Sequence, residues 1–329
     1  MRAFEYANPS TVKQALSLLG SNWDDAAVLA GGTDLLSLMK DNLVEPRRLV
    51  NVKGVHDLGG VAAVNGGLRI GAIATLAELV EHRQQLSEFP AILLAAEGVM
   101  SPQIRNMGTV GGDLLQRPRC WYFRNGFGLL ARDSQGRSLV PNGDNRYHAI
   151  FGNSGPAYFV SPSSLAPPLV ALGARVRLEG PKGGREIAVA ELFRTPQNEN
   201  EREHTIEPNE VLTEIVIPSS ARGLRSATYD VRERQFLDWP LATASVALRL
   251  QGERVSEARV VLGQVAPIPW RVEAAERALT GQTLNEATAA KAGDAAVEDA
   301  HPLSKNGYKV QLARVAVKRA LLALASQRS

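Results

Sequence analysis

Cysteine is nearly absent: Cys120 is the only one in 329 residues. That excludes an internal disulfide, and also an iron–sulfur or other metal site held by cysteines of this chain alone. Long apolar runs are missing too. No stretch reaches the roughly eighteen residues of a membrane span, and the opening Met1-Arg2-Ala3-Phe4-Glu5-Tyr6 has no apolar core of the kind a secretory leader carries. A chain made in the cytoplasm is therefore expected. Charge of one sign is scarce: 37 Lys and Arg against 34 Asp and Glu leave +3. That balance does not argue for nucleic acid, and no zinc-finger, RRM or basic-arm pattern occurs. The five histidines, His56, His82, His148, His204 and His301, have no metal-like spacing, and no Ser/His/Asp set, H-E-x-x-H or paired carboxylates stand out. A catalytic chain of this kind would take its chemistry from a cofactor.

What is present is an ordinary globular composition, 44% apolar and 22% charged, with length enough for two or three domains. Two glycine-rich segments stand out. In Leu29-Ala30-Gly31-Gly32-Thr33-Asp34-Leu35-Leu36 a strand-like run, 26–30, enters two glycines and a short helical pattern leaves them. Thr33 and Asp34 are good helix N-cap types, and a helix start offers free N–H groups to an anion. An ordinary strand-turn-helix connection would read the same way. The pattern is neither G-x-G-x-x-G nor G-x-x-x-x-G-K-[ST]. The second segment, Ile104-Arg105-Asn106-Met107-Gly108-Thr109-Val110-Gly111-Gly112-Asp113, again precedes an apolar pair, Leu114-Leu115. Two such turns suggest two walls of one extended site, and a dinucleotide has a long, doubly charged middle that could use both.

Elsewhere, spacing predicts a capped amphipathic helix over 8–20, stopped at Gly20, and a strand over 48–52, so that the first fifty or so residues read as a βαβ-like unit. Further strands are expected at 67–71, 174–178 and 211–217, and helices at 75–79, 90–97 and 165–172, the last with Pro167-Pro168 in its first turn. Residues 117–147 read as a long irregular loop, functional or disordered. Residues 196–209, polar and charged, read as an exposed surface loop. From about 221, strands at 228–232, 245–250 and 258–263 precede helical patterns at 271–279, 284–297 and 309–324, a separate α+β unit with its boundary near Ser219-Ser220-Ala221.

The two glycine segments, with Phe4-Glu5-Tyr6 and Pro269-Trp270-Arg271-Val272-Glu273-Ala274-Ala275, resemble the FAD-binding subunit of the xanthine dehydrogenase and aldehyde oxidoreductase family, the molybdenum hydroxylases. The likeness runs nearly end to end and is strongest to the medium subunit of bacterial three-subunit aldehyde oxidoreductases. It implies an α+β fold: a two-subdomain FAD-binding domain of the vanillyl-alcohol-oxidase (PCMH) type over 1–220, with subdomains of about 1–53 and 54–220, then a smaller α+β domain over 221–329. It implies FAD contacts from Leu29, Ala30, Gly31, Gly32, Thr33, Asp34, Leu35 and Leu36, and from Asn106, Gly108, Thr109, Gly112, Asp113 and Leu115. Ser164 and Leu165 match a further segment, His148 stands as a possible cofactor contact, and Leu212 and Asp230 match two flavin-side positions. Relatives commonly have Asn at position 113, Asp at 164 and Lys at 230.

The resemblance also covers the start of an insertion that holds a [4Fe–4S] cluster in some relatives. Cys120 matches the first ligand, but the last falls at Ala157 and the two between have no cysteine, so a cluster-free loop is expected. The implied function is an electron-transfer flavoprotein subunit with no catalytic or metal-ligating residue of its own. Substrate would be oxidised at a molybdopterin site on a large partner, and electrons would pass through [2Fe–2S] clusters on a small one. Two rivals stay open on sequence: a self-contained FAD oxidase, and a scaffold that has lost its flavin. Export to the periplasm with a partner carrying the signal is an alternative to the cytoplasm.

Overall fold

The computed structural model describes residues 1–234 and 238–326, so the last three positions of the expected C-terminal unit lie outside the described residues. The first strand, Glu5–Ala7, pairs in parallel with Arg48–Asn51, which pairs in parallel with Ala27–Leu29. Helix Val12–Leu18 covers this small sheet, its Ala15 packed in one cluster with Val50 and Val52. Thr11 caps the helix by accepting from the Gln14 N–H at 3.2 Å. The helix is shorter than the sequence suggests: the backbone at Leu19 is already extended, so Gly20 is not its stop.

A five-stranded antiparallel sheet follows, in spatial order Val61–Val64, Gly67–Gly71, Val211–Ile217, Arg175–Gly180, Gly183–Ala188. Helices Leu76–Glu81, Pro90–Gly98 and Ala166–Ala171 cover one face, around Ile70, Leu79, Ile92, Leu169, Val176 and Ile215. Thr75 and Glu78 close the first of these with a reciprocal capping box. The two outer strands escaped the sequence reading because neither has a buried face to impose alternation.

The C-terminal unit is an antiparallel sheet ordered Trp270–Arg271, Arg254–Gly263, Ala242–Gln251, Arg225–Val231, backed by helices Glu273–Leu279, Glu286–Ala295 and Tyr308–Ser326. Alternation along its central strands serves two cores. Ala244, Val246, Leu248 and Val260 face its own helices, while Ala247 and Val261 join the core of the preceding layer. The expected architecture of a two-subdomain part followed by a smaller α+β part is what the chain adopts. Among the described residues no helix is long and apolar enough to cross a membrane.

Residues 117–147 are irregular, as expected, apart from the short helix Trp121–Arg124, but they are firmly held. Phe123, Leu129 and Leu130 form an apolar cluster with Leu38, Ala157 and Phe159, against which Cys120 packs.

Candidate functional site

The first glycine segment turns out of strand Ala27–Leu29 and into helix Leu35–Lys40. Gly31 is dictated by a neighbour: a Cβ there would lie 1.7 Å from the carbonyl oxygen of Met107, in the second segment. Gly32 is dictated by its own backbone, at φ +74°. The two motifs therefore touch. Asp34 corrects the sequence reading. It sits at the N-cap position but makes no capping bond. Its carboxylate instead accepts from the Arg117 N–H (2.8 Å) and from Arg124 Nη2 (2.8 Å), and pairs with Arg119 at 3.2 Å. Asp34 thus fastens the irregular 117–124 stretch to the glycine turn.

The second segment also differs from expectation. It is not one glycine turn but two short helices, Pro102–Met107 and Val110–Leu115, with Gly111 and Gly112 in the first turn of the latter. Thr109 caps that turn, its Oγ1 accepting from Gly112 N–H at 3.1 Å. Backbone bonds from Leu76 to Gly108 (2.9 Å), Val110 to Ala74 and Gly111 to Ala72 (both 2.8 Å) stitch the segment to the five-stranded sheet's edge of the core.

Two cavities, of about 250 and 270 Å³, meet at Thr33, Asp34, Thr109, Gly112 and Gln116. Ala30, Gly31, Gly32, Leu35, Leu115 and Leu212 line the first, which is the more apolar; Gly108, Asp113 and Ser164 line the second. A molecule with an anionic middle and two arms fits this arrangement: polar glycine turns at the junction, one cavity for each arm.

Other sequence-predicted positions lie outside both. Leu29 is buried with Met39 and Leu49, Leu165 is in the main core, and Leu36 is exposed. Asn106 lines neither cavity. Asp230 pairs with Arg232 at 2.6 Å and accepts from Thr243 Oγ1 at 2.7 Å, so its charge is taken up locally. His148 lines a third cavity of about 240 Å³, with Nε2 3.2 Å from Cys120 Sγ. Burial and the nearby Lys309 charge push its pKa down to about 4, so it is neutral at physiological pH. Among the described residues no group of three or more His, Cys, Asp or Glu side chains is arranged to hold a metal ion.

Asp113 is buried, and its carboxylate accepts from Ser163 Oγ, from the N–H groups of Ser164 (3.2 Å) and Leu165 (2.9 Å), and from Gln116 Nε2 (3.0 Å). Burial raises its pKa while these four bonds oppose the rise. The carboxylate is a tie between the glycine helix and the 161–165 strap rather than a free charge facing a ligand. Where relatives are expected to carry Asn and Asp at positions 113 and 164, this chain carries Asp and Ser, and one acid still serves the junction.

Residues 197–200 are exposed, as the surface-loop reading expects, but that reading fails for the residues that follow. Glu203 and His204 are buried. Burial would raise the pKa of Glu203, but the Arg117 guanidinium, bonded at 2.6 and 3.0 Å, and the charges of His204 and Arg202 hold it at about 2. His204 is pushed down to about 4, by burial first. Arg202 and His204 line the first cavity, and Arg202 lies over the Trp23 ring at 3.9 Å. In the second cavity Arg119 lies over Trp239 at 4.7 Å. Neither arginine–indole pair carries a sequence signal, since the partners are far apart in the chain.

Residues 2–220 match the family model described as the FAD binding domain in molybdopterin dehydrogenase, and residues 227–324 match the CO dehydrogenase flavoprotein C-terminal domain. The chain is 32% identical over 317 residues to the aldehyde oxidoreductase FAD-binding subunit PaoB of Escherichia coli, covering 95% of this chain and 96% of that one. It is 30% identical over 322 residues to the carbon monoxide dehydrogenase medium chain of Hydrogenophaga pseudoflava, covering 97% and 96%. A solved structure of carbon monoxide dehydrogenase from Hydrogenophaga pseudoflava superposes with a TM-score of 0.76 at 29% identity, covering 100% of this chain and 99% of that one. With a PCMH-like FAD-binding part, a smaller α+β part and family matches over both, the chain belongs to the FAD-binding (medium) subunits of the molybdenum hydroxylases, an oxidoreductase family of heterotrimeric enzymes.

Proposed function

We propose that this chain holds FAD at the junction of its two cavities and serves as the electron-transfer subunit of an aldehyde-oxidising complex, between [2Fe–2S] clusters on a small partner and an external acceptor, with molybdopterin on a large partner. The observation that carries the proposal is the meeting of the two glycine segments between two cavities. Gly31, Gly32 and Thr33 with Thr109 and Gly112 would cradle the pyrophosphate, backbone N–H groups supplying the contacts. Leu35, Leu115 and Leu212 would pack one arm, and Ser164, held through its N–H by Asp113, would border the other. When bound, FAD supplies redox chemistry that none of the side chains offers. Asp34 and Asp113 act by position, each tying a second stretch of chain to the junction. Their carboxylates are already satisfied by arginine and N–H donors, which spares the pyrophosphate an unpaired negative neighbour.

The aldehyde reading leans on the likeness to the aldehyde oxidoreductase subunit, and the partners on the heterotrimeric family. The test has two arms. The purified chain should show flavin absorption near roughly 370 and 450 nm, released by acid because neither glycine segment carries His or Cys to bond a flavin covalently. Co-expressed with its neighbouring genes, it should yield a complex that contains molybdenum and iron and oxidises aldehydes, whereas the chain alone should not be reduced by them. Reduction by an aldehyde in the absence of metal would replace this reading with a self-contained oxidase. A colourless chain that cannot be loaded with FAD would leave only a scaffold.

A further inference from the structure

Arg202 is the one guanidinium in the first cavity for which, among the described residues, no carboxylate lies within ion-pair distance and no hydrogen-bond acceptor is present. Arg117, beside it, is paired with Glu203 through both Nε and Nη2. The nearest acids to Arg202 are that same Glu203 and Asp24, and they act on it only at a distance. Burial pulls its pKa down to about 9, which still leaves it charged at neutral pH. Arg202 is half-buried, and a partly desolvated cation with no acid in contact is improved by an anion that meets its donors. The Trp23 ring beneath it offers a π face, which orients the guanidinium flat but accepts none of its hydrogen bonds. The same cavity is bounded by Gly31, Gly32 and Thr33, the turn suited to an anion.

Resting on the FAD reading, we infer that Arg202, laid on Trp23, is the cationic determinant for the adenosine-diphosphate half of the cofactor, and that the first cavity is the one that takes this half. The guanidinium meets the phosphate charge, and Trp23 fixes its plane. The chain would then discriminate FAD from flavins that lack the second phosphate and adenosine. Arg202 carries this through binding and takes no part in electron transfer.

The experiment uses the full-length chain, stripped of flavin, as wild type, Arg202→Met, Arg202→Gln and Arg202→Lys. Each is titrated with FAD and with riboflavin, and FAD binding is competed with ADP. Loss of a charge-assisted contact predicts FAD affinity about 10- to 100-fold weaker in the Met and Gln variants. Lys should recover part of the loss, riboflavin binding should be equal in all four, and ADP should compete in wild type and Lys but poorly in Met and Gln. The salt dependence of FAD binding should flatten in the neutral variants. Should the Met variant fail to fold, the Gln variant decides. Wild-type FAD affinity in the neutral variants would overturn the inference and leave the FAD reading standing. Equal losses for FAD and riboflavin would make Arg202 a structural residue and overturn it as well. A wild-type chain that binds no FAD would remove both.

Discussion

The two cavities are each flanked by an arginine lying on an indole, and the two pairs differ in what else holds the cation. Arg119, over Trp239, pairs with Asp34 at 3.2 Å and donates to Gln116 Oε1 at 3.3 Å, leaving only its Nε without a partner. Arg202, over Trp23, has the ring alone. The stacking is common to both, so stacking does not distinguish a structural arginine from a ligand-binding one. The carboxylate does: where Asp34 already neutralises the cation, its charge secures the 117–124 stretch, and where no acid is within reach the charge remains for an anion.

The largest effect that could break this contrast comes from the residue beside Arg202. Arg117→Met would leave Glu203 buried and unpaired, a loss of about 3–5 kcal/mol, read as a lowered denaturant midpoint. Adding Glu203→Gln should restore much of it. The sign of the pH dependence follows from the carboxyl being depressed: its contribution is complete above its ordinary value of 4.5 and disappears as pH falls through about 2. Wild-type stability should therefore decline below about pH 4.5 more steeply than that of the doubly substituted chain. Equal acid sensitivity of the two would deny Glu203 this role.

A smaller effect is expected at the junction. Gly31→Ala puts a methyl group against the Met107 carbonyl, which must move away. Overpacking of this kind costs about 1–3 kcal/mol, and it should separate the two glycine segments and lower flavin content by opening both cavities together. Normal flavin content in a folded Gly31→Ala chain would place the cofactor elsewhere. The smallest effect belongs to Arg119→Met, which removes a partly exposed ion pair worth about 0–1 kcal/mol and should weaken FAD binding less than Arg202→Met does. If Arg119→Met proved the more damaging to FAD affinity, the distinction between paired and unpaired cations would fall.

Much of this was legible in the sequence. The glycine segments announced themselves by composition, and the helices over 90–98 and 166–171 by apolar runs and prolines that tolerate a first turn. What escaped was set by tertiary placement. Arg202, Glu203 and His204 look like solvated residues because charge in a polar stretch usually is. Glu203 and His204 become interior, and Arg202 half-buried, only because the chain, about to enter strand Val211–Ile217, lines the same cavity as the first glycine turn. Asp34 has the composition of a cap, and only the fold brings three arginines to it. The edge strand Gly183–Ala188 has no alternation to read because most of its residues face water.

The apolar cluster of Leu38, Phe123, Leu129, Leu130, Ala157 and Phe159 carries a consequence for how the insertion stays closed. Four cysteines around a metal would act as a covalent cross-link, removable by a chelator or an oxidant. Here the closure is made by side-chain packing between distant parts of the chain. It forms only once those parts have been brought together, late in folding because of the loop that must be closed first. It should then resist chelators and protease alike, and give way with heat or denaturant together with the helix that begins at Leu35.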